Sequence, residues 1–498
     1  METLVVKEPK ILILKSKFFL YRIIGYFSFL FIPIYTQKYF FSTPWLKFSM
    51  MLFYLFFLIG QWFLIGKEID HRLRIFFKVN SNMDRVLYRT IMGLVIFIFY
   101  ANLLSLFPHK WIYNFYWITW VLIGFFFSWP TRGKIIKESV TSNFTEFKFL
   151  DSFERTALVL ILMMVFFSVP KISAISSVSK TINNFDPISS FSPMVWNFLK
   201  VSYYPFQIKP QIFVIGLNMH FYFIFQVIFL LTFYALLRFF FSRRLSLLGV
   251  FAFVSSWGFS HLLYGSPGAS LSMTFPLIWI WSMLWVARSS SYKTGLFLGL
   301  VNCLGVIINP NLWVLILIQI PLYLWGFFNK KTRWFKRQFL KYTLPGYFGA
   351  LVIFFFFRGN LGNLGETEVI TEIFYHLKEK AFLSLSILGI LIFLYKSFSK
   401  NKYFLEDFYF DRKRFFELLL FSSIFLVTGF FWTGLGKTSF LVLTLLVFLS
   451  LIPLELLFQK TSRYRSSRNI IFAIYVLICL LDSHFEGRVK IFLKMFEQ

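Results

Sequence analysis

Residues 439–458, SFLVLTLLVFLSLIPLELLF, carry a single ionisable side chain, Glu455, near their end. About 20 helical residues cross the roughly 30 Å hydrocarbon core of a bilayer, and this run has that length and that composition. Comparable runs recur along the whole chain. They fall at about 18–35, 46–65, 88–107, 111–129, 156–170, 211–236, 246–263, 270–287, 295–308, 312–328, 342–357, 381–396, 416–432, 439–458 and 469–483. Asn309, Pro310 and Asn311 interrupt the pair at 295–328. The expected architecture is all-α: a polytopic bundle of about fifteen spans, with short interfacial helices in the outer loops.

Composition agrees with the runs. The 498 residues are 58% hydrophobic and 23% aromatic, and only 15% are charged. Soluble domains carry about a quarter charged residues. The mean hydropathy is +0.68. The net charge of +29 belongs to the basic turns of a membrane protein and to anionic headgroups. No basic stripe sits on a soluble module, so nucleic acid is not an expected partner. Cys303 and Cys479 both lie in apolar runs, which excludes a disulfide framework.

Charge also orients the chain. With the N-terminus inside, the inner segments include GKEIDHRLRIFFK, PTRGKIIKE, SRR, NKKTRWFKRQFLK, DRKR and QKTSRYRSSR. Of the Lys and Arg residues, about 37 then fall inside and about 14 outside, as the positive-inside rule asks. The alternation holds through every span. It predicts a bacterial inner-membrane protein with its N-terminus in the cytoplasm. Residues 1–150 form a four-span block whose role is open, and a protein partner for it is one option. Residues 151–498 form a second unit with two large outer loops, 171–210 and 358–380.

The first outer loop holds KTINNFDPISSFSPMVWNFLKVSYYPFQIKPQ, Lys180–Gln211, with Asp186 as its sole acid. Asp-Pro favours a turn. Ser192 and Pro193 then read as the cap and first turn of a short helix carrying Val195, Trp196, Leu199 and Tyr203 on one face. Such a helix lies in the interface, with Lys200 near phosphate. The second loop opens on Arg358 and carries Glu366, Glu368, Glu372, Lys378 and Lys380. The plain alternatives are that Asp186 only caps a turn and that these charges anchor span ends.

Familiar catalytic patterns are missing. WTGLGKTSF, Trp432–Phe440, has Phe431 where a phosphate-binding loop needs its first glycine. His71, His109, His220, His261, His376 and His484 do not pair at i, i+3 or i+4, so no zinc site is expected. A divalent cation shared between a carboxylate and substrate phosphate needs little protein and is compatible with the loops.

From about residue 155 to 360 the layout resembles the polyprenyl-phosphate-sugar-dependent membrane glycosyltransferases of the GT-C class, including the protein O-mannosyltransferase-like enzymes. The resemblance runs through the span RTALVLILMMVFFSVP, the loop with FDPISSF, the entry YYPFQIKPQIFVIGLNMHFYF, and the basic turn RRLSLLG with the spans after it. It is a likeness of segment order. Where the family commonly places two acids in the first outer loop, this chain has Asp186 alone. The likeness implies sugar transfer from a polyprenyl-phosphate donor at the outer face. Asp186 would be the general base or cation ligand. Lys200, Lys209 and Arg358 would offset charge on the leaving phosphate. His261 and Tyr264 would line the acceptor side. Two other classes stay open: a lipid or small-solute carrier, and a non-catalytic membrane scaffold.

Overall fold

The computed structural model describes residues 58–63, 65–67, 69–70, 82–104, 151–167, 227–238, 240–256, 274–275, 277–282, 297–304, 380–398, 439–461, 465–482 and 489–490. Every regular element among them is helical, with no strand. Six helices are α1 (Asn82–Leu104), α2 (Ser152–Phe167), α3 (Arg243–Ser255), α4 (Lys380–Phe398), α5 (Ser439–Lys460) and α6 (Arg465–Asp482). Further helical residues lie at 58–63, 65–67, 69–70, 227–238, 240, 274–275, 277–282 and 297–304. The all-α expectation therefore holds for the described residues.

The chain divides into two compact units. One is Met1–Phe149 with Trp196–His220, and the other is Leu150–Val195 with Phe221–Gln498. Among the described residues no helix is long and apolar enough to cross a membrane. The expected fifteen crossings thus go beyond what the described residues carry.

Helix ends depart from the apolar runs in an informative way. Helical residues continue past the run expected to end at 65, at 66–67 and 69–70, and Lys67 and Asp70 among them are buried. Likewise α1 begins at Asn82, ahead of the run expected from 88. Lys67 and Asp70 of the inner segment GKEIDHR are thus helical and turned into the protein rather than left in a solvated loop. The reason is a partner: Arg89 Nε donates to Asp70 Oδ2 at 2.8 Å, with the two side chains only 3% and 8% exposed.

In the first unit the helical residues Trp62, Gly66 and Asp70 pair with α1 along a reciprocal seam. A Cβ on Gly66 would strike the Arg89 carbonyl, and a Cβ on Gly93 would strike the Trp62 carbonyl. Trp62 meets Phe97 at 6.4 Å between ring centroids. Trp62, Gly66 and Asp70 are each four apart, as are Arg89, Gly93 and Phe97. Residues four apart share a helix face, so aromatic meets aromatic, glycine meets backbone, and acid meets base in antiparallel order. Small residues at a crossing let backbones approach closely.

The second unit is built around α5. It packs against α4, α3 and α6, while α3 also covers α2. Gly389 of α4 lies on the Leu449 carbonyl of α5, and Ser386 Oγ donates to the Leu446 carbonyl at 2.9 Å. These contacts advance in the same sense along both helices, so α4 and α5 run parallel. Gly249 of α3 leaves room for the Leu237 and Leu451 methyls, and Phe240 and Phe241 pack edge-on to Phe448 at 4.8 and 4.9 Å. Buried hydroxyls are satisfied locally. Thr232, Ser255, Ser282 and Ser450 each donate to a carbonyl three or four residues back, which removes most of the cost of burying them. Ser450 Oγ also lies 3.1 Å from the Tyr475 hydroxyl of α6, a buried hydrogen bond between the two helices.

Candidate functional site

Asp186, Lys200, Lys209, His261, Tyr264 and Arg358 all lie outside the described residues. The structure neither gathers nor separates them. What it does assemble is a charged junction at the end of the second unit, where α2 and α3 both begin.

The junction starts with the sequence DSFERT. Asp151 caps α2: its Oδ1 accepts from Glu154 N–H at 2.7 Å, and Glu154 Oε2 accepts from Asp151 N–H at 3.2 Å. Two orphan amides of the first turn are thereby satisfied reciprocally. Each carboxylate also reaches α3. Arg243 Nε donates to Glu154 Oε1 at 2.6 Å, and Arg244 pairs with Asp151. Phe153, between the two acids in sequence, lies 5.8 Å beneath the Arg244 guanidinium. Its ring touches Phe472 of α6 at 3.6 Å and faces Phe458 of α5 edge-on at 6.5 Å. Four helices are tied together at one end by two ion pairs and an aromatic triad.

Electrostatics make the junction durable. Partial burial works against the Arg243 charge. The bond from Glu154 and its negative charge outweigh that, and hold the Arg243 pKa above the usual arginine value. Arg238 donates to Phe241 O at 2.9 Å close by. Both carboxylates are engaged by arginine and by backbone amides, so neither is poised as a general base. Among the described residues no group of three His, Cys, Asp or Glu side chains can hold a metal ion.

Part of this was readable beforehand. Asp-x-x-Glu immediately before an apolar run is the signature of a capping box, and SRR stands out as a basic turn. That the acids of one would meet the arginines of the other needs long-range pairing, which a single sequence does not display. The Asp70–Arg89 pair was hidden for the same reason. Gln61 is 1% exposed, and both of its amide atoms are without a hydrogen-bond partner among the described residues.

No family model, no curated protein and no solved structure matches this chain.

Proposed function

We propose that the chain is a polytopic membrane protein that transfers a sugar from a polyprenyl-phosphate donor at the outer face, with Asp186 at the reacting centre. The observation that carries the reading is segment order: an apolar helix, a large outer loop with one acid, an apolar helix, a basic turn and a further helix. The helical segments at 152–167, 227–238 and 243–255 fit this order.

Membrane embedding has separate support. Large apolar side chains point outward on α2 (Val159, Leu162, Met163), on α4 (Ile387, Leu388, Ile390, Leu391) and on α6 (Ile470, Ile474, Leu477, Leu481, the last 73% exposed). Water would penalise that surface at about 25 cal/mol per Å², whereas acyl chains accept it. The charge-based path has α2 and α3 both entering from inside, and α4 and α5 both entering from outside. A shared start for α2 and α3, and a parallel run of α4 and α5, are what that path requires.

The test is a transfer assay with a polyprenyl-phosphate sugar. Asp186→Asn should lower the rate at least about a hundredfold if the carboxylate is the base. Retained activity would remove Asp186 from the chemistry. A carrier is the second reading, and the buried Asp70–Arg89 pair favours it, because ionisable groups inside an apolar bundle commonly line a solute path.

A further inference from the structure

The junction ties α2 to its neighbours with groups from its cap and first turn. Asp151 holds Arg244, Glu154 holds Arg243, and Phe153 meets the rings of Phe472 and Phe458. Phe153 also lies beneath the Arg244 guanidinium. Lifting the start of α2 off α3 therefore breaks both ion pairs, and it disturbs the ring contacts at the same time. Glu154 makes that step costly. Its side chain is 3% exposed, and both of its oxygens are engaged, Oε1 by Arg243 Nε and Oε2 by the Asp151 N–H. Without Arg243 a covered carboxylate would lose its counter-charge, the change that destabilises a buried pair most.

The rest of α2 is held by another kind of contact. Past its first turn it buries Ala157, Met164 and Val165, and it exposes Val159, Leu162 and Met163. Apolar contact has no preferred direction, so a helix resting on such side chains can tilt without leaving a polar group unpaired. By contrast, α6 is held to α5 well beyond the junction, through the buried hydrogen bond between Ser450 and Tyr475.

We propose that the turn Asp151–Glu154 is a fixed pivot for α2. The start of α2 stays clamped to α3, α5 and α6. Its far end tilts and carries the segment that follows it in sequence, which holds Asp186. Tilting in response to the sugar donor rests on the sugar-transfer reading, whereas the clamp does not. A carrier that opened at this end would have to separate the two ion pairs instead.

The test measures two distances by pulsed electron spin resonance on the full chain in nanodiscs. Spin labels at Ser152→Cys and Ser242→Cys report the clamped end. Both serines are exposed, and the Ser242 side chain makes no cap hydrogen bond. Labels at Leu162→Cys and Leu481→Cys, where the native side chains are 60% and 73% exposed, report the tilt of α2 against α6. Cys303 and Cys479 are buried and should stay unlabelled. The first distance should be single and narrow and stay so when a polyprenyl-phosphate sugar is added, while the second shifts. Glu154→Gln should raise a separated population at the first pair about tenfold, the effect of losing one hydrogen bond between charged groups. Arg243→Lys should keep most of the clamp, and Arg85→Gln, in the other unit, should leave it unchanged. Thermal melting selects the folded variants, and Arg244→Gln, on the more exposed pair, replaces Glu154→Gln if that variant does not fold. A first distance that lengthens in wild type on adding the donor would overturn the clamp and make this end a gate. A first distance that ignores the Gln variants would overturn the role of the ion pairs. If the variants behave as expected but the second distance ignores the donor, the donor-driven tilt is refuted together with the reading it rests on, and the clamp stands.

Discussion

At the scale of single residues, burial decides what each ion pair does. Asp70 and Arg89 are both almost fully covered, so Asp70→Asn would leave a guanidinium buried without its counter-charge. We expect a loss of about 3–5 kcal/mol, the usual cost of breaking one side of a buried pair, read as a lower denaturation midpoint in detergent. A loss below about 1 kcal/mol would mean that Arg89 reaches water. Arg243 is more open, with 29% of its side chain exposed, so Arg243→Gln should cost less, about 1–3 kcal/mol for a hydrogen bond to a charged group. Its pH dependence has a definite sign. A cation whose folded pKa lies above its unfolded value contributes fully below the unfolded value, and loses that contribution only as pH climbs through the folded one. For Arg243 the folded value is above the usual arginine range, so its contribution persists from pH 7 to 10. The stability gap between wild type and Arg243→Gln should stay constant over that window; a gap that closes by pH 10 would contradict the pairing. Sequence alone offers the capping acids and the basic turn separately. It is silent on their meeting, because Glu154 and Arg243 are far apart along the chain and helical periodicity carries no information about partners at such range.

At the scale of elements, glycines and a proline set how closely helices approach. Pro453 sits inside α5, and a proline has no N–H to give the carbonyl four residues earlier. That carbonyl is Leu449 O, the same atom that Gly389 of α4 lies against. The α-hydrogens of the glycine therefore approach an oxygen that its own helix leaves unpaired, the geometry in which weak Cα–H contacts recur between helices. A methyl at 389 would collide with rigid backbone. At Gly249 a methyl would instead meet the Leu237 and Leu451 methyl ends at 2.7 Å, which can swing aside. Gly389→Ala should thus cost about 3 kcal/mol and Gly249→Ala about 1 kcal/mol, the two ends of the usual overpacking range. Equal midpoints for the two variants would show that the α4–α5 approach is not backbone-limited. The existence of these helices was legible: the apolar runs at 381–396, 439–458 and 469–483 overlie α4, α5 and α6. The capped and charged ends of α1, α2 and α3 were not, because Asn82, Ser152 and Arg243 extend those helices past the point where hydropathy stops signalling.

At the scale of the whole molecule, direction along the bundle ties sequence to structure. Hydropathy supplies the helices, and charge counting supplies an alternation that neither a helix propensity nor a contact pair contains. The candidate residues of the outer loops were legible only as chemistry, since nothing local fixes where Asp186 stands relative to Lys200 or Arg358. The alternation itself makes a prediction about sides. Ser152, exposed at the start of α2, should face the cytoplasm, and Lys380, at the start of α4, should face outward. The native thiols should be quiet toward a membrane-impermeant maleimide, because Cys303 and Cys479 are both buried. Lys380→Cys should therefore label in intact cells, and Ser152→Cys only after permeabilisation. Labelling of both from outside would break the alternation between α2 and α4. Reversal of the pair would keep the bundle but turn it over, which would carry the loop with Asp186 to the cytoplasmic face, away from any donor presented outside.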